Sequence, residues 1–273
     1  MDTGVGTVSG STSDLRQAVP AVGCSSPHTD VLPGVIVIGA MKCGTSAVHA
    51  YLDAHPEVAM SGTKELNFFN GPEVAPDDDA ESWWRTGQWH RGLQWYSSQL
   101  DPSARVCGES SPAYTSPSCP EVPARMAAVV PAVRLVYLVR DPLQRALSQY
   151  AHHRRDGTER RPVADALLDP GSEYVDRSRF FERVEPFLSW FDRRQLHTVV
   201  QERLSRRAAG EVAALYRHVG VDPEWRDEQR VNVGRSGRPE VPAGLREAFD
   251  ERVRDDVDRL RSLVDDELEE FTR

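Results

Sequence analysis

Val35-Ile36-Val37-Ile38-Gly39-Ala40-Met41-Lys42-Cys43-Gly44-Thr45-Ser46 decides how this chain is read. An apolar, β-branched run enters a glycine turn. A helix pattern follows from Thr45 to Ala54, with Ala47, Val48, Tyr51 and Leu52 at helical spacing, and His55-Pro56 stops it. This is the layout of a loop that cradles a phosphate. Glycine lets backbone N–H groups close on an anion, and Thr45 and Ser46 add hydroxyl donors at a helix N-terminus. It is not a standard P-loop, which has a longer Gly-to-Gly interval and lysine directly before Ser or Thr. Lysine occurs at only two positions, Lys42 and Lys64, although Lys and Arg together total 33. A chain that otherwise uses arginine keeps lysine inside this turn, where a compact, flexible ammonium differs most from a planar guanidinium.

Outward from the loop, buried strands alternate with helices. Strands are expected at residues 34–39, Val58–Met60, Val133–Val139 and Leu196–Val200. Arg140-Asp141-Pro142 follows the third. Asp141 is placed to cap the next helix, and Pro142 suits its first position. Leu143, Ala146, Leu147 and Tyr150 give that helix an apolar face. Further helices are expected over Phe180–Phe191, Arg207–Val219 and residues 244–271, the last amphipathic from Leu245 to Phe271. The pattern predicts a three-layer α/β fold, with a central parallel sheet, helices on both faces and a P-loop-like nucleotide cradle. Residues 1–30, rich in Gly, Ser, Thr and Pro, read as a flexible tail ahead of a single domain over 31–273. The stretch Gly71–Leu100 reads as irregular. Its acidic residues Asp77, Asp78, Asp79 and Glu81 suit a solvated loop. Its tryptophans Trp83, Trp84, Trp89 and Trp95 either pack that loop on the core or wall an acceptor pocket.

Composition narrows the classes. At 273 residues with 39% hydrophobic content the chain can bury a core. No apolar run approaches the roughly 20 residues that span a bilayer, and the N-terminus lacks a basic start before an apolar stretch, so a cytoplasmic protein is expected. A net charge of −9 argues against a nucleic-acid partner while leaving room for a local basic pocket. Cys24, Cys43, Cys107 and Cys119 form no CxxC pair and no zinc spacing, so free thiols and no metal are expected.

Two further groups carry chemistry. Arg140 ends a buried strand, where α/β folds place ligand groups, and Ser148 lies about two helical turns on. A guanidinium and a hydroxyl there can hold a second phosphate; the alternative for Arg140 is an ion pair with Asp141 or a neighbour. Glu65, beside Lys64, is either a salt-bridge partner or a general base, and spacing alone favours the salt bridge. His152 and His153 follow Ser148 on its helix and read as solvated side chains, with an alternative base as the second reading.

Taken together these stretches resemble sulfotransferases that use 3′-phosphoadenosine-5′-phosphosulfate (PAPS), in particular the heparan-sulfate-type branch and its bacterial relatives. The resemblance runs from about Val35 to the C-terminal helix. It is carried by Ile38–Ser46, Glu65-Leu66-Asn67-Phe68-Phe69, Gly92-Leu93-Gln94-Trp95-Tyr96, Glu109-Ser110-Ser111-Pro112-Ala113-Tyr114, and Leu138–Pro142 with Ser148. It implies that Lys42, Cys43, Gly44, Thr45 and Ser46 grip the 5′-phosphosulfate and that Arg140 and Ser148 hold the 3′-phosphate. Ser236-Gly237-Arg238 is the candidate for a late loop over the nucleotide. It also implies that Glu65 is the acceptor base, reversing the reading from spacing, and that adenosine 3′,5′-bisphosphate (PAP) is the product. Asn67 and Ser110 depart from the basic or imidazole side chains that polysaccharide-modifying members often carry there. The paired late cysteines of the secreted enzymes are missing. A bacterial enzyme acting on a small hydroxyl compound or natural product is therefore expected, with a saccharide acceptor as alternative. From other classes, a P-loop-type kinase and a non-catalytic nucleotide-binding module remain.

Overall fold

The computed structural model describes residues 30–75, 87–226 and 241–264, together with Leu268 and Phe271. Most of the expected tail, the acidic cluster Asp77–Glu81, Trp83, Trp84 and Ser236-Gly237-Arg238 lie outside the described residues. Five strands form one parallel sheet: β1 Val35–Gly39, β2 Val58–Met60, β3 Val106–Ser110, β4 Arg134–Val139 and β5 Leu196–Val200. Their order is β2-β3-β1-β4-β5. All of β1 is buried, as its unbroken apolar run requires between two layers of helices. Val35 pairs with Gly108 on one side and Arg134 on the other. The chain passes from β1 first to one half of the sheet and then to the other, so a crevice opens at the carboxyl end of β1. There the register against β4 slips between Val37 and Gly39, and the glycine loop begins.

Helix α1, Thr45–Ala54, has the expected bounds. After β4, helix α4 spans Pro142–Arg155, with the Asp141 carboxylate accepting from the Gln144 amide at 2.8 Å. Short helices α2 Gly92–Ser97 and α3 Val122–Val129 precede β4. Beyond α4 come α5 Val163–Leu167, α6 Glu173–Asp176 and α7 Phe180–Leu188. Then follow α8 Gln201–Arg206, α9 Ala208–Val219 and α10 Leu245–Leu260. A second apolar cluster, with Leu143, Leu147, Leu167, Tyr174, Phe249 and Val253, seats α4 against α10.

Several sequence expectations are corrected. The C-terminal helix stops at Leu260 and passes through a 3-10 turn, Arg261–Leu263, to an extended Val264. Arg193 takes the freed Leu263 carbonyl at 2.7 Å, and Leu268 and Phe271 still reach the core from beyond the helix. Apolar periodicity therefore outran helical backbone. The helix beginning at Phe180 ends at Leu188, although Phe191 stays buried. Gly71–Leu100 is not irregular throughout, for it contains the 3-10 turn Trp89–Arg91 and α2. Strand β3 has no counterpart in the sequence reading, because Val-Cys-Gly-Glu-Ser hides a buried strand under polar residues.

Candidate functional site

The glycine loop stands at the mouth of the crevice. Gly39 belongs there because a Cβ at that position would come within 2.2 Å of Thr115 Oγ1. Gly44 adopts φ 95°, a left-handed conformation that favours glycine, and caps α1 without any side-chain hydrogen bond. The first turn of α1 thus presents backbone donors and the positive end of its dipole to whatever occupies the loop. Lys42 has φ 69° and is half-buried. Burial, followed by the nearby Arg155 charge, pulls its ammonium below the ordinary lysine range, while Asp156 and Glu65 oppose the shift. Lys42 therefore lies within electrostatic reach of both Glu65 and the end of α4. The buried Cys43 thiol leans on the Met41 carbonyl at 3.8 Å and is pushed up to about 12 by desolvation. It is no nucleophile at neutral pH, and its contribution to the loop is structural.

Arg140 meets the loop from the end of β4. Its Nη1 donates to the Lys42 carbonyl at 3.2 Å, and its Nε is buried with no partner among the described residues. The expected alternative, an ion pair with Asp141, does not form. Arg246 grips both oxygens of Asp141, at 2.8 and 3.1 Å. Behind it, Glu202 Oε1 accepts from the Asp141 amide at 3.0 Å; burial raises the Glu202 carboxyl, whose other oxygen has no partner among the described residues. Ser148 is half-buried on α4, the helix that follows Arg140.

Glu65 approaches from β3's side. Its amide donates to the Ser110 carbonyl at 2.9 Å, and its carboxylate takes Lys64 Nζ at 2.6 Å. The salt bridge expected from spacing exists. With side chains 25% and 51% exposed it is worth little to stability. Lys42, Glu65 and Asn67, at φ 69°, 65° and 50°, are the non-glycine residues with positive φ among the described residues, and all three flank the crevice. Strain of about 1–3 kcal/mol at such positions persists where the surroundings enforce it, often at functional sites. Here the enforcing contacts are Arg140 on the Lys42 carbonyl, Ser110 on the Glu65 amide, and Ser111 Oγ on the Asn67 amide at 2.9 Å.

The floor under Glu65 is a polar cluster from the Glu109–Tyr114 stretch, which carries the resemblance in sequence but to which no chemistry is assigned there. Glu109 is fully buried at the end of β3, and its carboxylate receives three hydroxyls: Tyr96 at 2.8 Å, Tyr114 at 2.6 Å and Ser111 at 2.7 Å. The Glu-Ser-Ser-Pro-Ala-Tyr spacing was the available signal. Ser110 Oγ lies 3.0 Å from His49 Nδ1. Phe68 stacks on Tyr96 with ring centroids 4.1 Å apart, and Trp89 and Trp95 close around Phe68, so these two tryptophans pack the loop on the core. The α4 histidines are not simply solvated. His153 bonds the Tyr174 hydroxyl at 2.9 Å, and His152, beside Asp156 and Arg155, is lowered by burial and by the charge of Lys42.

A parallel sheet with a glycine loop at its switch point, a lysine in the loop and an arginine at the end of the neighbouring strand is an arrangement suited to an anion. The chain belongs to the sulfotransferase family, whose model matches residues 33–227. A Drosophila melanogaster bifunctional heparan sulfate N-deacetylase/N-sulfotransferase is 26% identical over 228 residues, covering 72% of this chain and 20% of that protein. A mouse heparan sulfate glucosamine 3-O-sulfotransferase 3B1 is 28% identical over 200 residues, covering 70% and 46%. The chain thus spans about a fifth to a half of such relatives. Among solved structures, a sulfotransferase from Alicyclobacillus acidocaldarius superposes with a TM-score of 0.73 at 25% identity, covering 89% of this chain and all of that one. The sulfotransferase domain of the Synechococcus PCC 7002 olefin synthase shares the fold, with a TM-score of 0.51 at 15% identity over 84% and 96% of the two chains. No helix among the described residues is long and apolar enough to cross a membrane.

Proposed function

We propose that the chain transfers a sulfuryl group from PAPS to the hydroxyl of a small-molecule acceptor, in a bacterial cytoplasm, releasing PAP. The observation that carries the reading is the state of Arg140. It is fixed on the loop through the Lys42 carbonyl, while the carboxylate beside it in sequence is committed to Arg246. A guanidinium held next to a glycine loop, its Nε without a partner among the described residues, fits a phosphate oxyanion. Gly44, Thr45 and Ser46 would hold the 5′-phosphosulfate with backbone and hydroxyl donors, and Cys43 through its backbone alone. Arg140 and Ser148 would hold the 3′-phosphate, with Ser236-Gly237-Arg238 the candidate closing segment.

Glu65 is the proposed base. It takes the proton of the acceptor hydroxyl as that oxygen bonds to sulfur and the bond from sulfur to the bridging phosphate oxygen breaks. The leaving oxygen keeps the electron pair, and the Lys42 ammonium neutralises the charge that develops on it, an interaction strongest in the transition state. The half-exposed Glu65 carboxylate faces solvent from which an acceptor can arrive, and Lys64 keeps it in reach. A saccharide acceptor is the second reading, favoured by the names of the heparan sulfate relatives. Against it, Ser110 offers a hydroxyl already bonded to His49 rather than a basic side chain. Calorimetric titration with PAP, and label transfer from sulfur-labelled PAPS to an acceptor panel of phenols, alcohols and oligosaccharides, tests both parts. Binding of ATP with turnover, and indifference to PAP, would replace the reading with the kinase alternative.

A further inference from the structure

Helix α1 carries a histidine that the donor-site reading does not use. His49 stands four residues after Thr45 and three after Ser46, so it shares a side of the helix with the hydroxyls of the loop. Its Nδ1 lies 3.0 Å from Ser110 Oγ at the end of β3. The carbonyl of that same serine takes the Glu65 amide at 2.9 Å. Ser110 therefore joins the imidazole to the segment that carries the proposed base. His49 is linked to both parts of the crevice, by helical spacing to the loop and through Ser110 to Glu65.

Burial fixes the direction of the contact. Ser110 is fully buried, and His49 is the partner of its hydroxyl among the described residues. A hydroxyl that only accepted would leave its own hydrogen buried and unsatisfied. The hydroxyl therefore donates to Nδ1, and the proton of the neutral ring sits on Nε2. Burial lowers the imidazole below the ordinary histidine range, with Lys64 adding to the shift and Asp53 opposing it, so the neutral form dominates at pH 7. Asp53 itself accepts from the Met60 amide at 3.0 Å. What remains is one N–H donor on a partly exposed side chain, its tautomer set by a buried serine and its Nε2 without a partner among the described residues.

We propose that the Nε2–H of His49 binds a second oxygen of the acceptor, beside the hydroxyl that Glu65 deprotonates, and so selects diols, catechols and their ethers over simple alcohols and phenols. The proposal rests on the transferase reading of the site and gives its acceptor a chemical class. A site built to donate to an oxygen discriminates against the analogue that lacks it, because the donor is then left unpaired. A neutral donor also suits a neutral oxygen, with no charge to be matched. His49 is an acceptor-binding residue in this account, and Glu65 keeps the role of base.

The test uses sulfur-labelled PAPS and matched acceptors, catechol and guaiacol against phenol and glycerol against propanol, with wild type, His49→Phe and His49→Gln. Wild type should prefer the member with the second oxygen. His49→Phe should lower kcat/KM for catechol, guaiacol and glycerol roughly three- to tenfold, the worth of one neutral hydrogen bond, mainly through KM. Phenol and propanol should be nearly unaffected, and calorimetric PAP affinity should match wild type. His49→Gln, which keeps an N–H donor, should recover part of the preference. Equal losses for both members of a pair, as a merely structural histidine predicts, overturn the proposal. So does a fall in kcat alone, which would make His49 a base, or a wild type without preference. If His49→Phe does not fold, His49→Ala decides on the same ratios. If only an extract of the source organism yields a labelled product, that compound is the probe, and one lacking a second oxygen overturns the proposal. Wild type that transfers label to no probe and to no extract component refutes the transferase reading itself, and the proposal with it.

Discussion

Arg140 Nη1 donates to the carbonyl of Lys42 at 3.2 Å, which ties the end of β4 to the glycine loop that follows β1. One contact joins the two halves of the proposed anion site and bears on Lys42 at its positive φ. Arg140→Ala removes both this tie and the proposed contact to the 3′-phosphate. Loss of a charge-assisted bond predicts about 1.5–3 kcal/mol weaker binding of PAP by calorimetry. Asp141→Asn, which weakens the Arg246 pair without touching Arg140, should leave PAP affinity far less changed. Equal PAP binding by wild type and Arg140→Ala would take Arg140 out of the site.

Lys42 predicts an alkaline limb. Burial and Arg155 lower its ammonium, so the proposed catalytic cation is lost at a lower pH than for free lysine, near 10.4. The rate should therefore fall with rising pH before that value. The limb in kcat/KM, which reports the free enzyme, should lie below the limb in kcat, because bound anions favour the ammonium. Arg155→Gln removes a neighbouring positive charge and should move the kcat/KM limb upward. An alkaline limb unmoved by Arg155→Gln would assign it to another group. Lys42→Arg should lack the limb and still be slow, since a planar fork does not replace a compact ammonium in this loop.

Tyr114→Phe leaves the buried Glu109 carboxylate one donor short. An unsatisfied buried acceptor costs about 1–3 kcal/mol, so chemical denaturation should show a loss of that size. Tyr96→Phe, which removes a second donor to the same Oε1, should cost a similar amount, and the pair should be non-additive. Additive effects within experimental error would show that the hydroxyls do not share one acceptor.

Apolar runs and turn chemistry made much of the fold legible. Val35–Gly39, Thr45–Ala54, Val58–Met60 and Leu196–Val200 fall where their patterns place them, because each is buried on a face that its residues declare. Strand β3 was not legible. Its Glu109 and Ser110 are buried only because tyrosine hydroxyls and His49 arrive from distant segments. The end of α10 was hidden for the opposite reason, since Leu268 and Phe271 keep the helical period while packing from a chain that has left the helix. In the site, the loop and Arg140 were readable as local motifs. The partner that commits Asp141, Arg246 from α10, is a long-range contact that spacing does not announce.

The most direct test of the central claim follows sulfur-labelled PAPS in excess EDTA, with an extract of the source organism as acceptor pool, using wild type, Lys42→Ala and Glu65→Gln. The account predicts label in a discrete hydroxyl product and stoichiometric PAP with wild type. It predicts little with Lys42→Ala. For Glu65→Gln it predicts a rate lower by roughly 10²–10⁴-fold, with PAP affinity nearly unchanged. A Glu65→Gln rate equal to wild type would return Glu65 to its salt bridge with Lys64 and turn attention to His152. Strict dependence on Mg²⁺ with ATP consumption, and no transfer from PAPS, would contradict the account altogether.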